Sequence, residues 1–144
     1  MTAPTGLVMI AEDDPINAEL LQDLLESQGW KVELAEDGEV ALTKMAAGHY
    51  DLLLLDLHMP KVDGVDVLRR IQRGDVDRPG RIVVVTADLL YGIREDIVSL
   101  GAHALLSKPI DIAALFKIIA LTEAEPAAAE ALGGEANGFN RPLQ

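Results

Sequence analysis

Five polar side chains that could bind a metal ion and phosphate oxygens stand at the ends of short apolar segments. They are Glu12, Asp13, Asp56, Thr86 and Lys108. Short apolar runs bounded by polar residues are typical of buried parallel strands. Because the carboxyl ends of parallel strands meet at one edge of an open sheet, the sequence predicts that these carboxylates, the hydroxyl and the ammonium group converge there.

Three carboxylates held close together need a cation. Two unit charges about 4 Å apart interact by roughly 4 kcal/mol at a protein-surface dielectric. Lys108 supplies one positive charge, and a divalent ion would supply the rest. Ligand sets made only of oxygen suit Mg²⁺ or Mn²⁺ better than zinc. A hard ion held in this way binds phosphate oxygens at its free positions, which is the usual arrangement for phosphoryl transfer.

The segments that would position these groups alternate between strand and helix patterns. The predicted strands are Leu7–Ala11, Lys31–Ala35, Asp51–Asp56, Arg81–Thr86 and Ala104–Ser107. The predicted helices run from Pro15 towards Gly29, from Val40 to Met45, from Val65 to Ile71, over Leu90–Leu100 and over Ile112–Leu121. Strict alternation predicts parallel strands with helices on both faces. We therefore predict an α/β fold, a doubly wound five-stranded parallel sheet of the flavodoxin-like (βα)5 type with strand order 2-1-3-4-5.

Composition fits one soluble domain. Of 144 residues, 49% are hydrophobic and 3% aromatic, so the core must be aliphatic. The formal net charge of -12 argues against direct nucleic-acid binding, which needs clustered Lys and Arg. No apolar run approaches the roughly 20 residues that span a bilayer, so no membrane role is expected. The chain has no cysteine, which excludes disulfides and thiolate metal sites, and a cytoplasmic protein is the expectation.

The character of the chain changes near its end. Residues 6–121 carry the alternating pattern and form the predicted domain. Residues 122–144 are rich in Ala and Glu, with Gly, Asn and Pro towards the end, and have few large apolar side chains. This composition predicts a flexible tail or linker. Its first part could instead extend the last helix, because Ala and Glu are good helix formers.

Four segments together resemble the signature blocks of response-regulator receiver domains, the CheY-like phosphoacceptor family of two-component systems. The segments are "MIAEDDPIN", "DLLLLDLHMPKVDG", "VVVTAD" and "LLSKPID", in the family's order. The resemblance covers about residues 6 to 121. It implies the same doubly wound fold that the alternation of strands and helices predicts.

The resemblance also implies roles at a Mg²⁺ site. Asp56 would accept the phosphoryl group and bind the metal, and Asp13 would be a direct metal ligand. Glu12 would act on the metal through water, and the backbone carbonyl of His58 would add a further ligand. Asp13 and Asp14 could alternatively be N-caps of the first helix, because they precede Pro15.

Other positions would serve the phosphorylated state. By the resemblance, Thr86 would hydrogen-bond one phosphoryl oxygen and Lys108 would pair with another. The small side chain of Ala87 would leave the acceptor accessible. Pro109 is the candidate for a cis-proline that aims Lys108 inward.

The residues that would respond to phosphorylation depart from the family pattern at one position. Many relatives have an aromatic residue on strand 5, three residues before the lysine, where this chain has Leu105. Tyr91, in a neighbouring segment, could substitute for it. The resemblance implies that phosphorylation rearranges the face made by helix 4, strand 5 and helix 5. That face would contact an unknown downstream protein or form a phosphorylation-dependent homodimer.

The function implied is that of a two-component signal transduction response regulator. Asp56 would take a phosphoryl group from phosphohistidine of a sensor histidine kinase or histidine phosphotransfer protein. Such a module modifies itself and is not an enzyme with turnover on a separate product. One alternative is a pseudo-receiver that keeps the fold without phosphorylation, for which Leu105 is the only hint. An aspartyl-phosphate phosphatase of the haloacid-dehalogenase type would need a second acid where this chain has His58.

Overall fold

The computed structural model describes residues 6–87 and 93–124, without the side chains of residues 93–95 and 121–124. Strands and helices alternate along these residues as the sequence predicts. The strands are β1 (Leu7–Ala11), β2 (Lys31–Ala35), β3 (Leu52–Asp56), β4 (Arg81–Thr86) and β5 (Ala104–Ser107). The helices are α1 (Pro15–Glu26), α2 (Gly38–Ala47), α3 (Gly64–Arg73), α4 (Ile93–Ser99) and α5 (Ile112–Ala124).

The five strands form one parallel sheet in the order β2-β1-β3-β4-β5, so the predicted topology is confirmed. The register brings the strand ends level. Ala11 at the end of β1 lies beside Leu55 of β3, and Asp56 lies beside Val85 of β4. Thr86 lies beside Ser107 of β5. Residues at or just after these positions therefore share the carboxyl edge, by which we mean the edge where the strands end.

The core has an aliphatic layer on each face of the sheet. One layer joins the sheet to α2, α3 and α4, with buried members such as Leu68 and Ile97. The other joins it to α1 and α5, with Leu21 and Leu115. Strand β3 lies between both layers and is buried along its whole length, which explains its unbroken apolar run.

Aspartate side chains cap four of the helices at their N-termini, and these ends face the carboxyl edge. Asp14 accepts a hydrogen bond from the backbone N–H of Ile16 at 3.0 Å, so Asp14 is the cap of α1 that the sequence left as an alternative. The caps of the other three are Asp37 for α2, Asp63 for α3 and Asp111 for α5. An N-cap satisfies backbone donors that the helix leaves unpaired.

Several helices differ from the predicted bounds. Helices α2 and α3 each extend by about two residues beyond the predicted ranges, which run from Val40 to Met45 and from Val65 to Ile71. Helix α5 continues to Ala124, three residues past the predicted end at Leu121, in agreement with the helix-forming composition of that stretch. Helix α4 begins at Ile93, while the predicted start at Leu90 lies outside the described residues. Residues 125–144, most of the predicted tail, also lie outside them. Within the described ranges, no helix has the length and apolar character needed to cross a bilayer.

Candidate metal centre at the carboxyl edge

Three carboxylates from two neighbouring strands converge at the carboxyl edge. Glu12 and Asp13 follow β1, and Asp56 ends β3. Each offers an oxygen, and these oxygens all lie within 4.8 Å of one another. Glu12 and Asp56 are each only 4% exposed, whereas Asp13 is exposed. The cluster therefore has a buried floor and one side open to solvent.

Backbone N–H groups fix the orientation of the two buried acids. The N–H of Asp14 donates to Glu12 Oε2 at 3.1 Å, and the N–H of His58 donates to Asp56 Oδ1 at 3.1 Å. The N–H of Glu12 itself donates to the carbonyl of Ala35 at 3.0 Å and extends the pairing of β1 with β2. Each carboxylate is thus held by the loop that immediately follows its own strand.

The ammonium group of Lys108 contacts both buried carboxylates. Its Nζ is 2.9 Å from Asp56 Oδ2 and 3.0 Å from Glu12 Oε1. The Lys108–Pro109 peptide bond is cis, and the backbone N–H of Lys108 donates to the carbonyl of Thr86 at 2.9 Å. Lys108, which follows β5, therefore contacts Glu12 after β1 and Asp56 at the end of β3, although β4 lies between β5 and β3.

Burial and pairing act in opposite directions on the ionisation of this cluster. Burial raises the pKa of Glu12 and outweighs the hydrogen bonds from Lys108 and from the Asp14 N–H, which lower it. For Lys108, burial lowers the pKa, but hydrogen bonds to Asp56 and Glu12 prevail and raise it above its usual value. The lysine therefore keeps its proton at neutral pH and serves as a fixed positive charge.

The donor set fits one hard divalent cation. Three carboxylates and one ammonium group leave two negative charges uncompensated, which equals in magnitude the charge of Mg²⁺ or Mn²⁺. The available ligand atoms are all oxygens, as these ions prefer. Exposed Asp13 borders the open side, through which an ion and a phosphate group could enter.

The other predicted site residues lie around this cluster. Thr86 is fully buried at the end of β4, next to the strand that carries Asp56. Ala87 is exposed and, with Lys108 and Pro109, lines a cleft of about 460 Å³. His58 is exposed, and its backbone N–H donates to Asp56 Oδ1.

Of the two residues predicted to couple phosphorylation to the output face, Leu105 and Tyr91, the structure describes only Leu105. Leu105 is fully buried on β5 and belongs to the same apolar cluster as Ile97 of α4. Leu105 is therefore already part of the core layer that also contains the buried side of α4. Tyr91 lies outside the described residues.

The cleft shows a part of the site that the sequence interpretation missed. Besides Ala87 and Lys108, its lining includes Leu20 of α1, which is 53% exposed, and Ile110. Ile16, one turn before Leu20 on α1, is 76% exposed. Helical spacing assigns Ile16 and Leu20 to the apolar stripe of α1, but it does not show that part of this stripe remains at the surface beside the acids.

Comparison with known proteins identifies relatives along most of the chain. The family model of the response regulator receiver domain matches residues 8–120. The polar-differentiation response regulator DivK of Brucella ovis is 34% identical over 108 residues, which cover 75% of this chain and 88% of DivK. Hybrid signal transduction histidine kinase M of Dictyostelium discoideum is 27% identical over 117 residues, 78% of this chain. This chain spans only 5% of that kinase.

Solved structures of receiver domains have the same fold. The receiver domain of sensor histidine kinase PA1611 from Pseudomonas aeruginosa PAO1, with a magnesium ion coordinated in its active site cleft, has a TM-score of 0.72 and 31% identity. That match covers 81% of this chain and 95% of the other. The receiver domain of Ssk1 from Saccharomyces cerevisiae, crystallised with the histidine phosphotransfer protein Ypd1, has a TM-score of 0.73 and 25% identity, covering 81% and 88%. The fold, the matched family model and these relatives show that the chain belongs to the response regulator receiver domain family of two-component signalling.

Proposed function

We propose that this receiver domain accepts a phosphoryl group on Asp56 from a phosphohistidine, in a Mg²⁺-dependent reaction, and signals through altered protein contacts. One observation carries the proposal. Oxygens of Glu12, Asp13 and Asp56 lie within 4.8 Å of one another. The ammonium group of Lys108 forms ion pairs with Glu12 and Asp56. Such a cluster combines a nucleophilic carboxylate with the ligands and the fixed cation that phosphoryl transfer requires.

In the proposed reaction, a carboxylate oxygen of Asp56 attacks the phosphorus of phosphohistidine from the side opposite the imidazole. A P–O bond to Asp56 forms as the P–N bond breaks, and the imidazole nitrogen leaves with the bonding electrons. Lys108 Nζ, already 2.9 Å from Asp56 Oδ2, offsets negative charge on the oxygens of the transferred group. Thr86, at the end of the adjacent strand, would donate its hydroxyl to another of those oxygens.

Mg²⁺ held by Asp13 and Asp56, by the His58 carbonyl and through water by Glu12, would supply the remaining positive charge. The PA1611 receiver domain, which holds a magnesium ion in its active site cleft, supports this assignment. Water attack on the acyl phosphate would return Asp56 to its free form. The domain would therefore act as a self-modifying switch and not as an enzyme with a separate product.

The proposed partner is a sensor histidine kinase or a histidine phosphotransfer protein, since Ssk1 was crystallised with the latter. Exposed Leu20 lines the cleft next to Lys108, and exposed Ile16 lies one turn earlier on α1. An apolar helical surface presenting the histidine could pack there. Leu20→Glu should therefore slow phosphorylation by such a partner while leaving phosphorylation by acetyl phosphate unchanged. Equal loss with both donors would argue against a docking role for Leu20.

The proposed output is a change on the α4, β5 and α5 face. A phosphoryl group adds up to two negative charges beside buried Thr86. Because Leu105 and Ile97 belong to one apolar cluster, a shift at the end of β4 would pass to α4 through apolar contacts and not through an aromatic side chain. A downstream protein or a second copy of the chain would read that face, in the cytoplasm where histidine kinases present their phosphohistidine.

The deciding experiment is incubation with acetyl phosphate and Mg²⁺ followed by mass measurement of the intact chain. We expect a gain of one phosphate in the wild type, none in Asp56→Asn and none when Mg²⁺ is chelated. A wild type that gains no phosphate would favour the pseudo-receiver alternative. A gain in Asp56→Asn equal to that of the wild type would place the modification elsewhere.

A further inference from the structure

The loop between β3 and α3 contains a close contact that none of the predicted site residues accounts for. Gly64, the first residue of α3, is buried, and its N–H donates to the carbonyl of Leu57 at 2.9 Å. That bond closes the loop of residues 57–63 directly behind Asp56. The start of α3 is thereby brought against the peptide that joins Asp56 to Leu57.

No side chain fits at position 64 in this arrangement. A Cβ on Gly64 would lie 2.6 Å from the carbonyl oxygen of Asp56 and 2.6 Å from Cα of Leu57. Both are backbone atoms, so rotation of a side chain cannot relieve the overlap. The φ angle of Gly64 is outside the left-handed region, which is occupied by other glycines of the chain. Space, and not backbone conformation, is therefore the reason for glycine at this position.

The two atoms that a Cβ would displace lie in the acceptor residue and in the residue that follows it: the carbonyl oxygen of Asp56 and Cα of Leu57. The Asp56 carboxylate is held by the N–H of His58 at 3.1 Å and by Lys108 at 2.9 Å, and both contacts depend on the position of the Asp56 backbone. A displacement of about 1 Å at a reacting group can slow a reaction by about a hundredfold. A small shift of this peptide would consequently disturb both the metal ligands and the line of attack.

We propose that Gly64 is a positioning residue for the phosphoryl acceptor: its missing Cβ lets α3 fix the Asp56–Leu57 peptide so that the carboxylate faces Lys108 and the other acids. This proposal rests on the proposed function of Asp56. It goes beyond it by assigning a role to a residue that touches neither metal nor phosphate.

A second glycine provides a matched control. Gly38 is the first residue of α2, is buried, and a Cβ there would overlap the carbonyl oxygen of Val62 at the far end of the same loop. Gly38→Ala therefore forces an even closer overlap on the same loop, but with the backbone of Val62 and not with that of Asp56. Gly48→Ala serves as a neutral control, because nothing lies within 4 Å of its added Cβ and its φ of -168° is ordinary extended backbone.

The experiment compares the full chain with its Gly64→Ala, Gly38→Ala and Gly48→Ala variants at a temperature where each is folded by circular dichroism. At saturating Mg²⁺ and acetyl phosphate, we expect Gly64→Ala to be phosphorylated at least tenfold more slowly than wild type, Gly38→Ala less than threefold more slowly, and Gly48→Ala unchanged. Thermal melting should show both Gly64→Ala and Gly38→Ala destabilised. Rates that fall in step with stability in both variants would overturn the proposal.

Two further measurements test the positioning role of Gly64 without phosphorylation. The amide resonance of His58, which donates to Asp56 Oδ1, should shift in Gly64→Ala without Mg²⁺ and stay in place in Gly38→Ala. Mg²⁺ affinity should fall several-fold in Gly64→Ala alone. If the wild type accepts no phosphate, the proposed function fails, and these two readings still decide whether Gly64 positions Asp56. An unshifted His58 amide with unchanged Mg²⁺ affinity would overturn the proposal.

If Gly64→Ala does not fold, Asp63→Ala tests the same contact. Asp63 accepts from the N–H of Asp66 at 3.0 Å, and its loss loosens the first turn of α3 without adding a Cβ. We expect the His58 amide to broaden or shift in Asp63→Ala and to remain unchanged in Asp111→Ala, which removes the corresponding cap of α5. Identical spectra of the His58 amide in both variants would contradict the proposal.

Discussion

At the carboxyl edge of the sheet, Lys108 Nζ lies within 3.0 Å of Glu12 and Asp56, whose side chains are 3% and 5% exposed. At the opposite, amino edge, where the strands begin, His49 Nδ1 lies 2.7 Å from Asp77 Oδ2 and His49 Nε2 lies 3.9 Å from Asp51. Those three side chains are 53% to 59% exposed. A nitrogen side chain thus lies beside two carboxylates at each edge, but in opposite environments.

The difference shows why only one edge suits phosphoryl chemistry. Water and salt screen charges at the amino edge, so ion pairs there contribute little and hold no fixed geometry. Burial at the carboxyl edge strengthens each electrostatic interaction and makes an unpaired charge costly. Lys108 therefore compensates part of the negative charge at that edge, and an entering cation or phosphate acts on groups already held in place.

Removing the half-buried ammonium group of Lys108 should have the largest effect on stability. Lys108→Met leaves Glu12 and Asp56 without their ammonium partner, and breaking a buried pair in this way costs about 3 kcal/mol. Mg²⁺ should recover part of the loss and bind more tightly than to wild type, because the ion replaces the missing charge. Urea unfolding with and without Mg²⁺ measures both effects.

The control for this variant is Lys117→Met, on the exposed side of α5. Its free energy of unfolding should change by no more than about 0.5 kcal/mol, with no dependence on Mg²⁺. Equal losses in the two variants would mean that the carboxyl edge is as well screened as the surface.

Two adjacent acids of the carboxyl edge should separate metal binding from helix capping. Asp13→Ala removes an oxygen from the three-acid cluster and should weaken Mg²⁺ binding at least tenfold with little loss of stability. Asp14→Ala removes the N-cap of α1 and should cost about 1 kcal/mol of stability while leaving Mg²⁺ affinity within about twofold. Calorimetric titration with Mg²⁺ and urea unfolding test the pair. Undiminished Mg²⁺ binding by Asp13→Ala would contradict its assignment as a ligand.

Much of this edge could be predicted because topology alone determines where parallel strands end. Alternation of strands and helices predicted the strand order, and the strand ends indicated Glu12, Asp13 and Asp56. Contacts that depend on distances between elements could not be predicted. Helical spacing assigns Leu20 to the apolar stripe of α1, but it does not show whether a neighbouring element covers this side chain. In the structure Leu20 is half exposed. The reason for glycine at position 64 depends on an approach between α3 and Asp56 that leaves no periodic trace in the sequence.

One buried titratable group near the amino edge tests whether burial, and not the edge itself, makes the difference. Tyr50 is 4% exposed, and burial, followed by the 2.6 Å hydrogen bond to Glu33, raises its pKa to about 12. A pKa raised by folding means that the protonated phenol stabilises the fold below the unfolded value near 10, and that this contribution disappears as pH rises towards 12.

Tyr50→Phe should therefore lose about 1.5–3 kcal/mol at neutral pH, the contribution of one hydrogen bond to a charged acceptor. Between pH 10 and 12 the wild type should lose this advantage, so that the two unfolding free energies converge. Lys108, whose pKa is also raised, titrates in both proteins and cancels in the difference. A difference that stays constant to pH 12 would contradict the assigned pKa.

The smallest effect is expected from the exposed histidine of the amino edge. His49→Ala removes the contacts with Asp77 and Asp51, yet it should change the free energy of unfolding by no more than about 0.5 kcal/mol at physiological salt. Lowering the salt concentration at a pH where the imidazole is charged should enlarge the difference, because screening by ions weakens an exposed pair but hardly affects a buried one. Lys108→Met should show no such salt dependence. If the two variants respond equally to salt, the pairs at both edges are screened to the same extent, and burial does not distinguish the carboxyl edge.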